Sequence, residues 1–228
     1  VRPFSGGSRV IQLGLMTPVE TLMLGAGLCL AAAVVGAGLA FAGHPWVIAF
    51  GIAGLLSGVF YTARPISWVT RGLGEVMVAL NFGVLMVTGA YYVQTGEVTR
   101  HSILVSLPVA FLVALVLYIN EFPDYRADLA THKRTLVVRL GRGRAAKLYP
   151  VLGAMPFAAV VALVVADVAP LMSLAALAGI PLWLSASRIV LQHSEGPFEL
   201  APANALTAIA HLTTGLLFAL GYAWEELG

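Results

Sequence analysis

The sequence is short of charge. Of 228 residues, 13 are Lys or Arg and 11 are Asp or Glu, so 11% are charged against 59% hydrophobic, less than half the charged share of an ordinary soluble domain. That scarcity excludes a disordered acidic tail and a basic nucleic-acid binder, and a net charge of +2 is too small to imply any polyanionic partner. Cysteine is nearly absent: Cys29 stands alone within an apolar run, which excludes a disulfide framework, a thiolate metal cluster and CxxC redox chemistry. His44, His101, His132, His193 and His211 share no spacing that would build a metal site. Period-two alternation is missing too, because Ala, Leu, Gly and Val run on without it, so no stretch reads as strand. The remaining possibility is an all-α chain that lives mostly in lipid.

Charge-free length gives the count of spans, since a bilayer core about 30 Å thick needs about 20 apolar helical residues. Thr21–Ala63 holds no charged residue in 43 positions, enough for two spans joined by a turn at Gly43, His44 and Pro45. Val76–Gly96, His101–Asn120, Leu148–Ala166, Val168–Ser187 and Leu200–Trp224 each supply one more. The expectation is a polytopic bundle of seven transmembrane helices forming a single membrane-embedded domain over 1–228. Gly25, Gly27, Gly36, Gly38, Gly51, Gly54 and Gly58 are expected to let helices approach closely.

Cations give the orientation, because short cytoplasmic loops retain Lys and Arg. With Arg2 and Arg9 inside, Arg64, Arg71, Arg188 and the seven cations between Pro123 and Lys147 fall on the same face, leaving Arg100 as the exception among 13. The 123–147 stretch reads as a cytoplasmic loop, and it also carries Asp124 and Asp128.

Asn120, Asp124 and Asp128 recur every four residues, so on one helix they share a face within an arc of about 80°. Pro123 disfavours helix at Phe122 and predicts a kink or a fresh helix start. Two carboxylates one turn apart repel unless a cation lies between them. Mg²⁺ takes one or two carboxylates and completes its shell with water and substrate phosphate oxygens, and Lys133 and Arg134 stand close enough in sequence to hold the same phosphates. The bland alternative is a solvated loop in which acids and bases neutralise one another at little net energy. Tyr61 and Arg71 have an equally plain alternative as interface anchors at the end of a span. Glu75 and Asn81 are polar near or inside a span and so are functional suspects, although Glu75 can pair with Arg71 one turn back and Asn81 can bond a neighbouring helix.

Two blocks carry a resemblance. Asn120-Glu121-Phe122-Pro123-Asp124-Tyr125-Arg126-Ala127-Asp128, with Lys133-Arg134-Thr135-Leu136-Val137-Val138-Arg139-Leu140-Gly141 after it, resembles the second aspartate motif of the UbiA-type intramembrane prenyltransferases. Tyr61 to Pro65, continuing through Arg71 to Glu75, Asn81 to Gly83 and Gly89 to Tyr92, is similar to the branch that uses 1,4-dihydroxy-2-naphthoate. The resemblance implies transfer of a polyprenyl group from its diphosphate to an aromatic acceptor in menaquinone biosynthesis. Mg²⁺ held by Asp124 and Asp128 would help ionise the allylic C–O bond, with Tyr61 near the reacting centre. Asn120, Lys133, Arg134, Arg64, Arg71 and Arg9 are the implied diphosphate contacts. It implies further an integral protein of a bacterial or archaeal cell membrane whose site faces the cytoplasm. Other acceptors of the superfamily are 4-hydroxybenzoate, haem, chlorophyllide and glyceryl phosphate. A seven-span transporter is the reading from a different class, but it would be expected to place ionisable groups near the bilayer midplane.

The chain departs from the pattern at Pro65, where a Lys is common, and at His132, where a Gly is common. The superfamily also has an earlier NxxxDxxxD motif after two spans, and the opening, Arg2-Pro3-Phe4-Ser5-Gly6-Gly7-Ser8-Arg9, looks like the stretch that follows that motif. The expectation is nine spans in the whole protein, seven of them here, and little or no activity from these 228 residues alone.

Overall fold

A computed structural model describes residues 10–196 and 198–227, and every regular element among them is helical. In chain order these are α1 (Pro18–Phe41), α2 (Trp46–Thr62), α3 (Gly74–Thr95), α4 (Arg100–Ala130), α5 (Leu136–Leu140), α6 (Arg142–Val165), α7 (Leu171–His193) and α8 (Ala201–Leu227). Six are long and apolar enough to cross a bilayer, and α2 is a shorter apolar helix of 17 residues. With α2 these make up the seven spans read from the charge-free stretches, and the chain is an integral membrane protein.

Local chemistry sets the ends. Thr17 and Glu20 form a reciprocal capping box at the start of α1, behind Pro18 at the first helical position. α2 begins at Trp46 directly after the expected Gly43–Pro45 turn, with Gly43 at φ 106°. α3 carries a π-helical stretch at Ala79–Leu85, an irregularity that often marks functional sites. Gly72 and Gly141, both in positive-φ conformations, close the 3₁₀ turn Trp68–Arg71 and separate α5 from α6.

α4 is the central element, packed against α3, α6 and α8. Its Leu115, Tyr118, Ile119 and Phe122 form the main core with Val137 of α5, Tyr149 of α6, Val190 of α7 and Ala203 of α8. A second cluster, Val160, Leu163, Ala176 and Phe218, joins α6, α7 and α8 nearer the other end. By contrast, α1 packs mainly on α2, and neither helix buries a residue. This overturns the expectation about glycines: Gly25, Gly27, Gly38, Gly51, Gly54 and Gly58 have open space where a Cβ would stand, and Gly36 meets only Val47. The close approaches lie instead at Gly83 on Ala110, Gly153 on Trp183, Gly179 on Thr214 and Gly221 on Ser173. The physical reason is that small residues matter only where a second helix is present to approach.

Two further expectations are corrected. The stretch 123–147 is not a loop, since α4 continues to Ala130 and α5 and α6 occupy most of the remainder. Nor does a fresh helix start at Pro123, which lies buried inside Leu107–Ala130. Packing around α4 overrides the local cost of the proline, as neighbouring groups do for prolines in membrane helices. Separately, the Arg142 guanidinium donates to the Phe122 carbonyl at 3.2 Å, tying α6 to α4. Arg142, one of the cations counted in the expected loop, is in fact buried, donates to the Glu195 carbonyl at 2.8 Å and stacks 4.9 Å from the Tyr125 ring centre.

Candidate active site

Because α4 is continuous, Asn120, Asp124 and Asp128 do lie one turn apart on a single helix. Asp128 is 7% exposed. Its Oδ1 stands 3.4 Å from the Lys133 ammonium, and its Oδ2 is buried with no hydrogen-bond donor facing it among the described residues. Asp124 is half-buried one turn before it, close enough for the two charges to interact. The return of Lys133 to Asp128 follows from the chain: Lys133 N–H bonds the Asp128 carbonyl at 2.8 Å, and His132 takes a left-handed turn at φ 58°. A left-handed conformation is one that glycine adopts without strain.

Asn120 is held from a helix that sequence reasoning did not connect to it. Asn204 of α8, itself buried, donates from Nδ2 to Asn120 Oδ1 at 2.6 Å. A polar residue within the apolar Leu200–Trp224 run was the available signal. Mutating Asn204 and Asn120 to Ala, singly and together, is expected to give a coupling of about 0.5–1.5 kcal/mol in a double-mutant cycle read by thermal unfolding in detergent.

Of the other candidates, Tyr61 at the end of α2 is half-buried. Its hydroxyl lies over Gly74, 3.2 Å from where a Cβ would stand there, and it shares the electrostatic neighbourhood of Glu75, Glu121 and Asp128. Arg64 and Arg71 are exposed on the connection between α2 and α3, and Arg71 donates to the Pro65 carbonyl at 3.2 Å. The expected Arg71–Glu75 pair is therefore not what satisfies Arg71; Glu75 is turned to the bundle interior, against Glu121. Asn81 does bond its neighbour, donating to Ser57 Oγ at 2.5 Å. Arg134 is exposed beside the aspartate end of α4, and Arg9 lies outside the described residues.

Arg139 joins the two sequence blocks. Its Nε donates to the Arg134 carbonyl at 2.9 Å and its Nη2 to the Thr70 carbonyl at 3.3 Å, while its side chain fills the space over Gly72. The 3₁₀ turn after Tyr61 is thus stapled to the basic segment after Asp128. The result is a polar end of the bundle with two acids on one helix, a lysine on one of them and exposed arginines alongside. Among the described residues no three His, Cys, Asp or Glu side chains form a metal-binding group. An aspartate pair with one buried oxygen lacking a donor is nevertheless suited to a cation that takes its other ligands from water and phosphate.

An apolar crevice of about 960 Å³ runs between α1, α2 and α3, lined by Ala33, Gly36, Phe50, Gly54, Leu85 and Gly89, with Asn81 among its lining residues. Asn81 stands six residues along α3 from Glu75, a rise of about 9 Å.

The family model described as "UbiA prenyltransferase family" matches residues 7–201. Among curated proteins, the chain is 31% identical to a 1,4-dihydroxy-2-naphthoate octaprenyltransferase of Haemophilus influenzae, covering 75% of this chain and 55% of that protein. It is 33% identical to one of Mycobacterium leprae, covering 78% and 59%. A 2-carboxy-1,4-naphthoquinone phytyltransferase of Synechocystis is 27% identical over 75% and 56%. The chain thus spans somewhat over half the length of these relatives. No solved structure gives a significant match.

Proposed function

Since the chain belongs to the UbiA prenyltransferase family, we propose that the protein transfers a polyprenyl group from its diphosphate to 1,4-dihydroxy-2-naphthoate in menaquinone biosynthesis, at a Mg²⁺-dependent site on the cytoplasmic face. The observation that carries this reading is the buried Asp128 carboxylate, with Lys133 on one oxygen and no donor on the other, one turn from Asp124. Relatives that act on naphthoates support the choice of acceptor.

Asp124 and Asp128 would hold the cation, which when bound would neutralise diphosphate charge and ease departure of the leaving oxygen. Lys133, Arg134, Arg64 and Arg71 surround that end with positive charge and would take the phosphate oxygens, the arginines as forks and the lysine as a point charge. Arg9 joins this set as an expectation from the sequence. Asn120, fixed by Asn204, offers its amide N–H groups to the same oxygens. Tyr61, in the electrostatic neighbourhood of Asp128, would stand near the reacting centre, where its aromatic face can stabilise positive charge on the allylic carbon. Exclusion of water by the helix walls lets the aromatic carbon, rather than water, capture that carbon, after which the ring regains aromaticity by losing a proton from the attacked position or CO2 if the carboxylated carbon is attacked. The crevice between α1, α2 and α3 offers an apolar path for the tail.

The test is an acceptor panel. Offered a polyprenyl diphosphate, Mg²⁺ and a choice of 1,4-dihydroxy-2-naphthoate, 4-hydroxybenzoate and glyceryl phosphate, the whole protein is expected to yield the prenylated naphthoate product by mass spectrometry. Product from another acceptor in its place would reassign the substrate, and no product from any would sink the enzymatic reading.

A further inference from the structure

Two acids on neighbouring helices meet beneath the basic segment. Glu121 of α4 is 5% exposed, and its Oε2 accepts the backbone N–H of Val137 at 3.1 Å, from 16 residues further along the chain. The Thr135 hydroxyl and the Lys133 charge act on the same carboxylate. Val137 is the second residue of α5, so its N–H is one of the donors that a helix cannot satisfy internally. Thr135 caps the next one, accepting from Val138 N–H at 3.4 Å. From the other side, Glu75 of α3 is 8% exposed and faces Glu121, and its carboxyl meets its own backbone N–H and the Glu121 carboxyl. Carboxyls buried in contact are compatible when one keeps its proton and gives it to the other as a hydrogen bond.

We infer that Glu121, backed by Glu75, is a positioning residue that ties the Lys133–Val137 segment to the aspartate helix and so keeps Lys133 and Arg134 in place for the diphosphate. The inference deepens the proposed function and rests on it. α5 has five residues, too few to stand as a helix by itself, so its place depends on ties to neighbours. Arg139 holds one side of it to the Thr70 carbonyl, and Glu121 holds the other to α4. Losing the second tie would leave the segment to be ordered anew each time a diphosphate binds.

The test uses Glu121→Ala, Glu121→Asp, Glu121→Gln and Glu75→Gln in the whole protein, with two readouts: steady-state kinetics and amide hydrogen exchange of 133–140. Glu121→Ala is expected to raise the KM for polyprenyl diphosphate at least about tenfold with little change in acceptor KM, and to speed exchange at Val137. Glu121→Asp, too short to reach but milder to the fold, is expected to move both readouts in the same direction by less. Glu121→Gln keeps a carbonyl for the Val137 N–H and an N–H for Glu75, and Glu75→Gln keeps a donor for Glu121, so both are expected within about threefold of wild type. A fall in kcat of roughly 10² or more in either Gln variant at unchanged KM would mark proton transfer instead and overturn the positioning role. Unchanged exchange and diphosphate KM in Glu121→Ala would overturn it as well. Exchange needs no turnover, so a wild-type protein that yields no prenylated product, the failure of the functional reading, is distinguishable from a failed tie.

Discussion

Replacing Asp128 by Asn is expected to lower prenyl transfer by roughly 10³-fold while leaving the fold in place. Asp128 is buried, and its two oxygens are unequal: one meets Lys133 and the other meets no donor. Asn keeps the shape and a carbonyl for Lys133 but removes the charge that a cation would need. The stability change should stay within about 1 kcal/mol, because no cavity opens and an acceptor remains for the ammonium. Lys133→Met makes an informative contrast. It leaves a buried carboxylate without its cation, so it is expected to destabilise more than Asp128→Asn does and to impair turnover less. Product quantified by mass spectrometry, alongside thermal unfolding of each variant in detergent, separates the two effects. Turnover of Asp128→Asn near wild type would remove Asp128 from the reaction.

The second large effect concerns the fold. Gly83→Ala is expected to destabilise the protein by about 3 kcal/mol, the upper end of the usual cost of overpacking. A Cβ at Gly83 would run into the backbone of Ala110 on α4, which cannot step aside as a flexible side-chain tip could. α3 would have to move off α4, and with it Glu75 off Glu121. Gly54→Ala on α2, where nothing lies within reach of the new methyl, is expected to change little. Thermal unfolding of both variants in one detergent gives the comparison; equal stabilities would mean that the α3–α4 approach does not depend on Gly83.

The parts of this molecule that were legible in its sequence are those set by one stretch of chain. Charge-free length located the spans because lipid excludes charge, and a four-residue spacing placed Asn120, Asp124 and Asp128 on one helix. What escaped was set between stretches. Pro123 reads locally as a break, yet α4 passes through it because α3, α6 and α8 pack against the helix. Glu75 looked able to pair with Arg71, since both lie within one turn, but α3 turns it inward to meet Glu121. Arg142 looked like one more loop cation and is a buried lock on the Phe122 carbonyl. Asn204 gave a faint signal as a polar residue in an apolar run, but its partner 84 positions earlier could not be read without the fold. Glycine was the most misleading signal, because its abundance in α1 and α2 says nothing of whether a neighbouring helix approaches there.

In the proposed function, the aspartates of α4 and the basic segment after them form a cation-dependent diphosphate site. Its most direct test is equilibrium binding of a non-ionising polyprenyl thiodiphosphate to the whole protein, with and without Mg²⁺, for wild type and Asp128→Asn. Wild-type binding is expected to strengthen at least about tenfold with Mg²⁺, and the variant to gain nothing from the cation. Equal binding by both proteins, indifferent to Mg²⁺, would contradict it.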